Sequence, residues 1–220
     1  MNSREYFEKN GYVVIKNFMP ENMADIFYRY TIKRCLFLDE KMSADLNEHY
    51  ISTIDGFRGN EETGWSSYNF YGDALTETIE EIALKEVETH TGLELVPTYG
   101  FLRLYQKGDI LPCHSDRKSC EISTTLCVGY DTSNVDSKVY PNYNWPIWLE
   151  KKDGDKISVP LNKGDMLIYK GCELKHWREP FIGNNHVQCF LHYNQKQNKD
   201  NNLFDGRKTL GLPHLKNYIK

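Results

Sequence analysis

Two histidines and one aspartate stand out as residues that could bind a metal ion. His114 and Asp116 form an H-x-D pair at the end of a predicted strand, where alternation directs both side chains to the same face. His176 lies about sixty residues further on, soon after a second predicted strand at 165–169. By itself an H-x-D pair is also typical of surface polar contacts. Together the three residues predict a metal site, provided that the fold brings the distant histidine next to the pair.

The ligand set indicates which metal chemistry to expect. Two imidazoles and one carboxylate on one face of an octahedron leave three coordination positions open. Iron(II) needs such open positions to hold a bidentate co-substrate together with O2. These residues therefore favour a non-haem iron(II) site over a closed structural metal site.

The segments around the three residues resemble the 2-oxoglutarate and iron(II)-dependent dioxygenases, in particular the prolyl hydroxylase-like branch. Residues 103–116, RLYQKGDILPCHSD, look like the strand, glycine turn and H-x-D segment of that family. Residues 161–169, LNKGDMLIY, followed by His176, look like its glycine-aspartate turn, apolar strand and distal histidine. The similarity covers 95–194, about half the chain. It implies a hydroxylase that uses Fe(II), 2-oxoglutarate and O2.

The resemblance also implies roles for individual residues. His114, Asp116 and His176 are expected to bind iron, and Tyr105, on the strand before the glycine turn, is expected to hydrogen-bond 2-oxoglutarate. An alternative for Tyr105 is an ordinary core position.

One expected residue is missing from the pattern. The family places an arginine or lysine about ten residues after the distal histidine, where it binds the far carboxylate of 2-oxoglutarate. Here that position is His186, with Gln188 on the same strand face. A protonated His186 could bind the carboxylate, or Arg178, two residues after His176, could supply a bidentate guanidinium instead. A different oxo acid as co-substrate is the third alternative.

The pattern of apolar residues predicts an α+β fold. Helices are predicted at 3–9, 23–34 and 73–90, and turn-separated strands at 12–16, 93–105, 121–130, 146–150, 157–159, 165–169 and 186–193. Helices followed by evenly spaced strands favour a double-stranded β-helix, the jelly roll of cupin-like proteins, supported by N-terminal helices. We therefore expect one domain, 1–220, with helical or irregular support at 1–92, the jelly-roll core at 93–194 and a polar tail at 195–220.

An aromatic-rich segment, 39–71, lacks periodicity and is predicted as a long loop. Its aromatic residues are expected either to form a lid over the site or to pack against the long helix; they are Trp65, Tyr68, Phe70 and Tyr71.

Composition limits the possible partners and locations. The formal net charge of −4 and the absence of a global basic field disfavour nucleic acid as a partner. No apolar run approaches membrane-spanning length and the N-terminus has no signal-like apolar segment, so a cytoplasmic protein is expected. The substrate is expected to be a small molecule or a peptide. Two alternatives to the oxygenase are a cupin-like metal-binding protein without 2-oxoglutarate and a non-catalytic jelly-roll binding module.

Overall fold

The computed structural model describes residues 2–43, 56–59, 66–199 and 202–212. Three α-helices lie in these ranges: α1 (Ser3–Asn10), α2 (Glu21–Ser43) and α3 (Ala74–Thr91). Two short 3-10 helices lie at Lys118–Cys120 and Leu203–Gly206. None of the helices within the described ranges combines the length and the apolar composition that crossing a membrane requires.

Local signals in the sequence define α3 at both ends. The Asp73 carboxylate accepts hydrogen bonds from the backbone N–H groups of Leu75 and Thr76, at 3.1 and 3.2 Å, and so caps the first turn. Gly92 ends the helix in the left-handed conformation, with φ of 73°. The predicted helix at 73–90 is thereby confirmed.

The eleven strands within the described ranges form two antiparallel sheets. They are β1 (Tyr12–Ile15), β2 (Phe57–Arg58), β3 (Tyr68–Tyr71), β4 (Leu95–Gln106), β5 (Leu111–His114), β6 (Ile122–Asp131), β7 (Ile147–Glu150), β8 (Lys156–Val159), β9 (Met166–Tyr169), β10 (Lys175–Arg178) and β11 (Asn185–Gln195).

The topology is that of a jelly roll. The larger sheet has the order β1-β9-β6-β11-β4-β3-β2 and the smaller one the order β5-β10-β7-β8. Within β4 to β11 the chain passes repeatedly from one sheet to the other, so eight strands enclose a common interior. The predicted α+β class with a jelly-roll core is confirmed.

Strand alternation separates the helix-packed core from the interior of the jelly roll. On β11, Val187, Cys189 and Leu191 belong to the core cluster that also contains residues of all three helices. The intervening residues, among them Phe190 and His192, face the opposite side and line a cavity inside the barrel. Strand β11 thus has one face that packs in the core and one face that lines the cavity.

The structure departs from the sequence prediction in two places outside the core strands. Helix α2 continues to Ser43 rather than ending at 34, because Cys35 and Leu38 extend its buried face. Part of the predicted loop at 39–71 is ordered as β2 and β3. Of the two alternatives for its aromatic residues, Tyr68 and Phe70 follow helix packing rather than a lid, since both are buried in the core that includes the helices. Trp65 lies outside the described residues.

Strand β10, which carries the distal histidine, was also not predicted. Its four residues, Lys175 to Arg178, contain no aliphatic side chain, so they lack the β-branched pattern that marks a strand. Pairing with β5 and β7 on either side forms the strand nevertheless.

Candidate active site

The structure brings the three predicted metal ligands together. His114 and His176 are paired directly across β5 and β10, and their ring centroids lie 4.3 Å apart. Asp116 Oδ1 lies 3.4 Å from the Nε2 atom of each histidine. Ligand atoms roughly 3 Å apart are what one metal ion requires when it binds each at about 2.1 Å and at right angles. Within the described residues this is the only such cluster of three potential ligands.

Backbone carbonyl groups fix the tautomer of both histidines. His114 Nδ1 lies 2.7 Å from the Pro112 carbonyl oxygen, and His176 Nδ1 lies 3.0 Å from that of Leu174. Because a carbonyl oxygen can only accept, each Nδ1 must carry the proton. Both Nε2 atoms are therefore free to bind a metal ion.

Asp116 is oriented by a hydrogen-bond chain that leaves Oδ1 facing the two imidazoles. Ser123 Oγ donates to Asp116 Oδ2 at 2.6 Å, and His192 Nδ1 lies 3.0 Å from the same hydroxyl. Burial disfavours the charged carboxylate, but the imidazoles of His114 and His176 beside Oδ1 hold the pKa of Asp116 well below its usual range. Asp116 is thus ionised and ready to bind a cation at neutral pH.

The backbone at Gly171 also contacts Asp116 and helps to hold it in place. The N–H of Asp116 donates to the Gly171 carbonyl at 2.9 Å. A Cβ at Gly171 would approach Asp116 Oδ2, the Cys120 carbonyl and Ser123 Oγ more closely than the 3.0 Å that real Cβ atoms keep. Glycine at this position is therefore a steric requirement of the site.

A cavity of about 200 Å³ extends from the triad into the barrel. Its lining combines the three ligands with aromatic, apolar and basic side chains: Tyr99, Phe101, Arg103, Leu111, Tyr169, Phe190 and His192. Asp116 is the only carboxylate among the described lining residues. The space beside the triad therefore combines aromatic and aliphatic side chains with one guanidinium group, that of Arg103.

Arg178 lies deeper in the same barrel. Alternation along β10 places His176 and Arg178 on the same buried face, and only 2% of Arg178 is exposed. One guanidinium nitrogen, Nη1, donates to the Trp145 carbonyl. The other two, Nε and Nη2, are buried and have no hydrogen-bond partner among the described residues. Burial lowers the pKa of Arg178, yet an arginine keeps its charge at neutral pH.

His186 presents a third unpaired donor in this region. Thr125 Oγ1 donates to Gln188 Oε1 at 2.7 Å, which turns the Gln188 amide nitrogen toward His186 Nδ1 at 3.0 Å. The ring proton of His186 therefore sits on Nε2, which is buried without a partner among the described residues. Burial, and then the charge of Arg178, lower the pKa of His186 well below its usual value. His186 is neutral and cannot supply a charge.

Trp145 connects these deeper residues. The Arg178 guanidinium carbon lies 4.8 Å from the centre of the indole ring, and the ring centroids of His186 and Tyr105 lie 5.2 and 4.8 Å from it. Tyr105 is fully buried, and its hydroxyl accepts a hydrogen bond from Arg103 Nη1 at 3.3 Å. Residues 105, 178, 186 and 188 therefore form one group behind the cavity, although none of them lines the cavity itself.

Sequence reasoning missed Ser123, His192 and Gly171. A signal for His192 was present, because it shares the inward face of β11 with His186 and Gln188 at a spacing of two residues. Ser123 and Gly171 had no such signal, since their roles depend on contacts between elements far apart in the chain.

Comparisons with known proteins agree with this fold. No family model and no curated protein matches the chain. Among solved structures, a prolyl-4-hydroxylase from Pseudomonas putida superposes with a TM-score of 0.60 at 13% identity, covering 88% of this chain and 97% of that one. HygX from Streptomyces hygroscopicus, solved with nickel and 2-oxoglutarate, gives 0.61 at 10% identity over 90% and 88%. An oxidoreductase of the 2OG-Fe(II) oxygenase family from Burkholderia pseudomallei gives 0.59 at 11% identity over 91% and 92%. This chain therefore has the same overall fold as solved 2-oxoglutarate and iron(II)-dependent oxygenases.

Proposed function

We propose that the chain is a non-haem iron(II) oxygenase that uses 2-oxoglutarate and O2 to hydroxylate a small molecule or peptide, with release of succinate and CO2. The observation that carries this proposal is the triad of His114, Asp116 and His176 with unpaired buried donors deeper in the same barrel. A metal site alone would suit a cupin-like binding protein equally well. The buried donors favour a site for an anionic co-substrate.

The donor set fits iron(II). His114, His176 and the ionised Asp116 would hold the ion through two imidazoles and one carboxylate, the ligand set that leaves iron(II) open to further ligands. When bound, iron(II) and 2-oxoglutarate together supply the O2 activation that allows an unreactive C–H bond to be hydroxylated. The contribution of the chain is to fix the three ligands, through the Pro112 and Leu174 carbonyls and Ser123, and to surround the reaction with the largely aromatic lining of the cavity.

We assign the distal carboxylate of 2-oxoglutarate to Arg178 rather than to His186. A buried cation without an anionic partner is costly, and a carboxylate would satisfy Nε and Nη2 together in a bidentate arrangement. Neutral His186 can add one hydrogen bond from Nε2, and the Tyr105 hydroxyl can donate another. The basic residue that binds the carboxylate would thus be Arg178 on β10. The family resemblance instead places this residue at position 186, on β11.

The test is calorimetric titration of 2-oxoglutarate into anaerobic, iron(II)-loaded protein. Hydrogen bonds to charged groups contribute about 1.5–3 kcal/mol, so Arg178→Met should weaken binding at least tenfold. His186→Phe should cause a smaller loss. Arg58→Met is the matched control, because Arg58 is paired with Asp39 and does not line the cavity. Iron binding without any 2-oxoglutarate binding would contradict the proposal and favour the cupin-like alternative.

A further inference from the structure

Arg103 lacks the carboxylate partner that four of the eight described arginines have. Those four pairs, with nitrogen and oxygen within 4.0 Å, are Arg34 with Asp73, Arg58 with Asp39, Arg117 with Asp205 and Arg207 with Glu77. Arg103 and Arg178 have no acidic partner among the described residues, and both point into the barrel that contains the triad. With Arg178 assigned to the co-substrate, Arg103 remains as a second cation without an anion.

Contacts on two sides hold the Arg103 guanidinium in place. Nε donates to the side-chain oxygen of Asn69, a fully buried residue of β3, and Nη1 donates to the Tyr105 hydroxyl at 3.3 Å. The guanidinium carbon lies 5.2 Å from the centre of the Phe101 ring and 5.3 Å from that of Tyr105. Nη2 has no hydrogen bond within the described part of the chain. The arginine is thus pre-oriented, with one end available to a ligand.

The cavity connects this arginine with the triad along an apolar surface. Phe101 is opposite Phe190 in the pairing of β4 with β11 and lies two residues before Arg103 on the same inward face of β4. Leu111 lines the same space. A molecule in this cavity that contacted both Arg103 and the metal would therefore have two phenyl rings and an aliphatic side chain around it.

We propose, building on the oxygenase function above, that the substrate is a carboxylate with an apolar body, and that Arg103 binds its carboxylate while Phe101 and Phe190 contact the body. The guanidinium matches a carboxylate in shape and charge, and its partial enclosure strengthens that contact. The ionised Asp116 faces the metal position, so no described acidic residue of the cavity competes for Arg103. Arg103 is therefore a specificity-determining residue that selects anionic substrates.

The experiment measures ligand preference in protein saturated anaerobically with iron(II) and 2-oxoglutarate. The probes are 3-phenylpropanoate, 4-phenylbutanoate and hexanoate, each titrated beside its primary amide, with phenyl phosphate and phenol as an additional pair. The variants are Arg103→Met, Arg103→Lys and, as control, Arg58→Met. Arg58 also lies over an aromatic ring, that of Tyr68, but is paired with Asp39.

At least one carboxylate is expected to bind ten times more tightly than its amide to the wild-type protein. Arg103→Met should abolish this preference, Arg103→Lys should keep part of it, and Arg58→Met should leave it unchanged. Thermal unfolding of each variant excludes loss of the fold as the cause. Preference for phenyl phosphate alone would replace the carboxylate by a phosphate and overturn the proposal as stated.

Two further outcomes separate this inference from the oxygenase function. If 2-oxoglutarate binds normally but no carboxylate is preferred over its amide, the substrate inference is wrong and the oxygenase function stands. If Arg103→Met instead weakens 2-oxoglutarate binding, Arg103 is a co-substrate residue, which also overturns the inference. If 2-oxoglutarate does not bind the wild-type protein at all, both proposals are contradicted.

Discussion

Single residues determine whether Asp116 can serve as a metal ligand. Its Oδ2 atom accepts a hydrogen bond from the Ser123 hydroxyl, which in turn contacts His192. This hydrogen bond occupies Oδ2, while Oδ1 faces the two imidazoles. Such outer contacts restrict rotation of the carboxylate and reduce the entropy lost when a metal binds.

Replacing Ser123 should therefore weaken iron binding without removing a ligand. For Ser123→Ala we expect a 10–100-fold lower affinity for iron(II), in the range found for outer-shell partners of metal ligands. Competition with a chromogenic chelator measures it, and the exposed Ser158→Ala serves as control. An unchanged affinity would mean that Ser123 does not orient Asp116.

The residue-level pattern was partly readable from the sequence. The H-x-D spacing and the distant histidine located the triad, because ligand identity is a property of residue type. The anchor for the distal carboxylate remained open between Arg178 and His186, since the choice depends on burial. Only the fold reveals that His186 is buried and neutral while Arg178 is buried with free donors.

At the scale of elements, α3 packs against the larger sheet with two buried acids, Glu77 and Glu80. Glu77 is paired with Arg207, whereas one carboxylate oxygen of Glu80 is buried without a partner among the described residues. Burial, with the nearby charge of Glu77, raises the pKa of Glu80 well above its usual value. Glu80 is therefore protonated in the folded protein over a range in which it is ionised in the unfolded chain.

This difference predicts how stability depends on pH. Above the ordinary glutamate pKa of about 4.5, the folded protein keeps a proton on Glu80 that the unfolded chain has lost. The free energy of unfolding therefore falls as pH rises, by up to about 1.4 kcal/mol per pH unit. The decline ends once the pH passes the pKa of Glu80 in the folded state. Glu80→Gln should remove this decline and be more stable than wild type at pH 8. Urea unfolding at pH 5, 6.5 and 8 measures it, with the exposed Glu81→Gln as control. Parallel profiles for wild type and Glu80→Gln would mean that the folded state does not hold an extra proton on Glu80.

Elements with strong local signals were predicted well, and those formed by pairing were not. α3 has a cap, a glycine end and a periodic apolar face, and β4, β6 and β11 are long and apolar. By contrast, β10 depends on its neighbours for its conformation. The two residues it contributes to the site, His176 and Arg178, thus share a face that no periodicity in the sequence revealed.

At the scale of the whole molecule, the segment at 202–212 connects the C-terminal region to the site. Asp205 accepts hydrogen bonds from Arg117 and from the Tyr71 hydroxyl, and both of these side chains lie against Tyr99, which lines the cavity. Arg207 is paired with Glu77 at 2.6 Å, with both side chains 1% exposed. A polar tail was predicted here, but the burial of Arg207 was not, because its partner lies 130 residues earlier.

Removing the arginine should leave Glu77 buried and unpaired. Arg207→Met is expected to lower the free energy of unfolding by roughly 3–5 kcal/mol, the usual cost of breaking a buried pair from one side. Chemical unfolding at pH 7 measures it, with the exposed Lys208→Met as control. If the two variants were equally stable, the tail would not be part of the folded core.

The proposed function requires that the triad binds iron(II) and that 2-oxoglutarate chelates this iron. The most direct measurement is an anaerobic titration of the metal-free protein with iron(II) and 2-oxoglutarate, recorded in the visible range, for wild type, His114→Ala and the distant control His90→Ala. The weak charge-transfer band of the chelate is expected in wild type and His90→Ala and should be lost in His114→Ala. Bound iron without a band in the wild-type protein, or a band that persists in His114→Ala, would show that the chelate does not form at this triad.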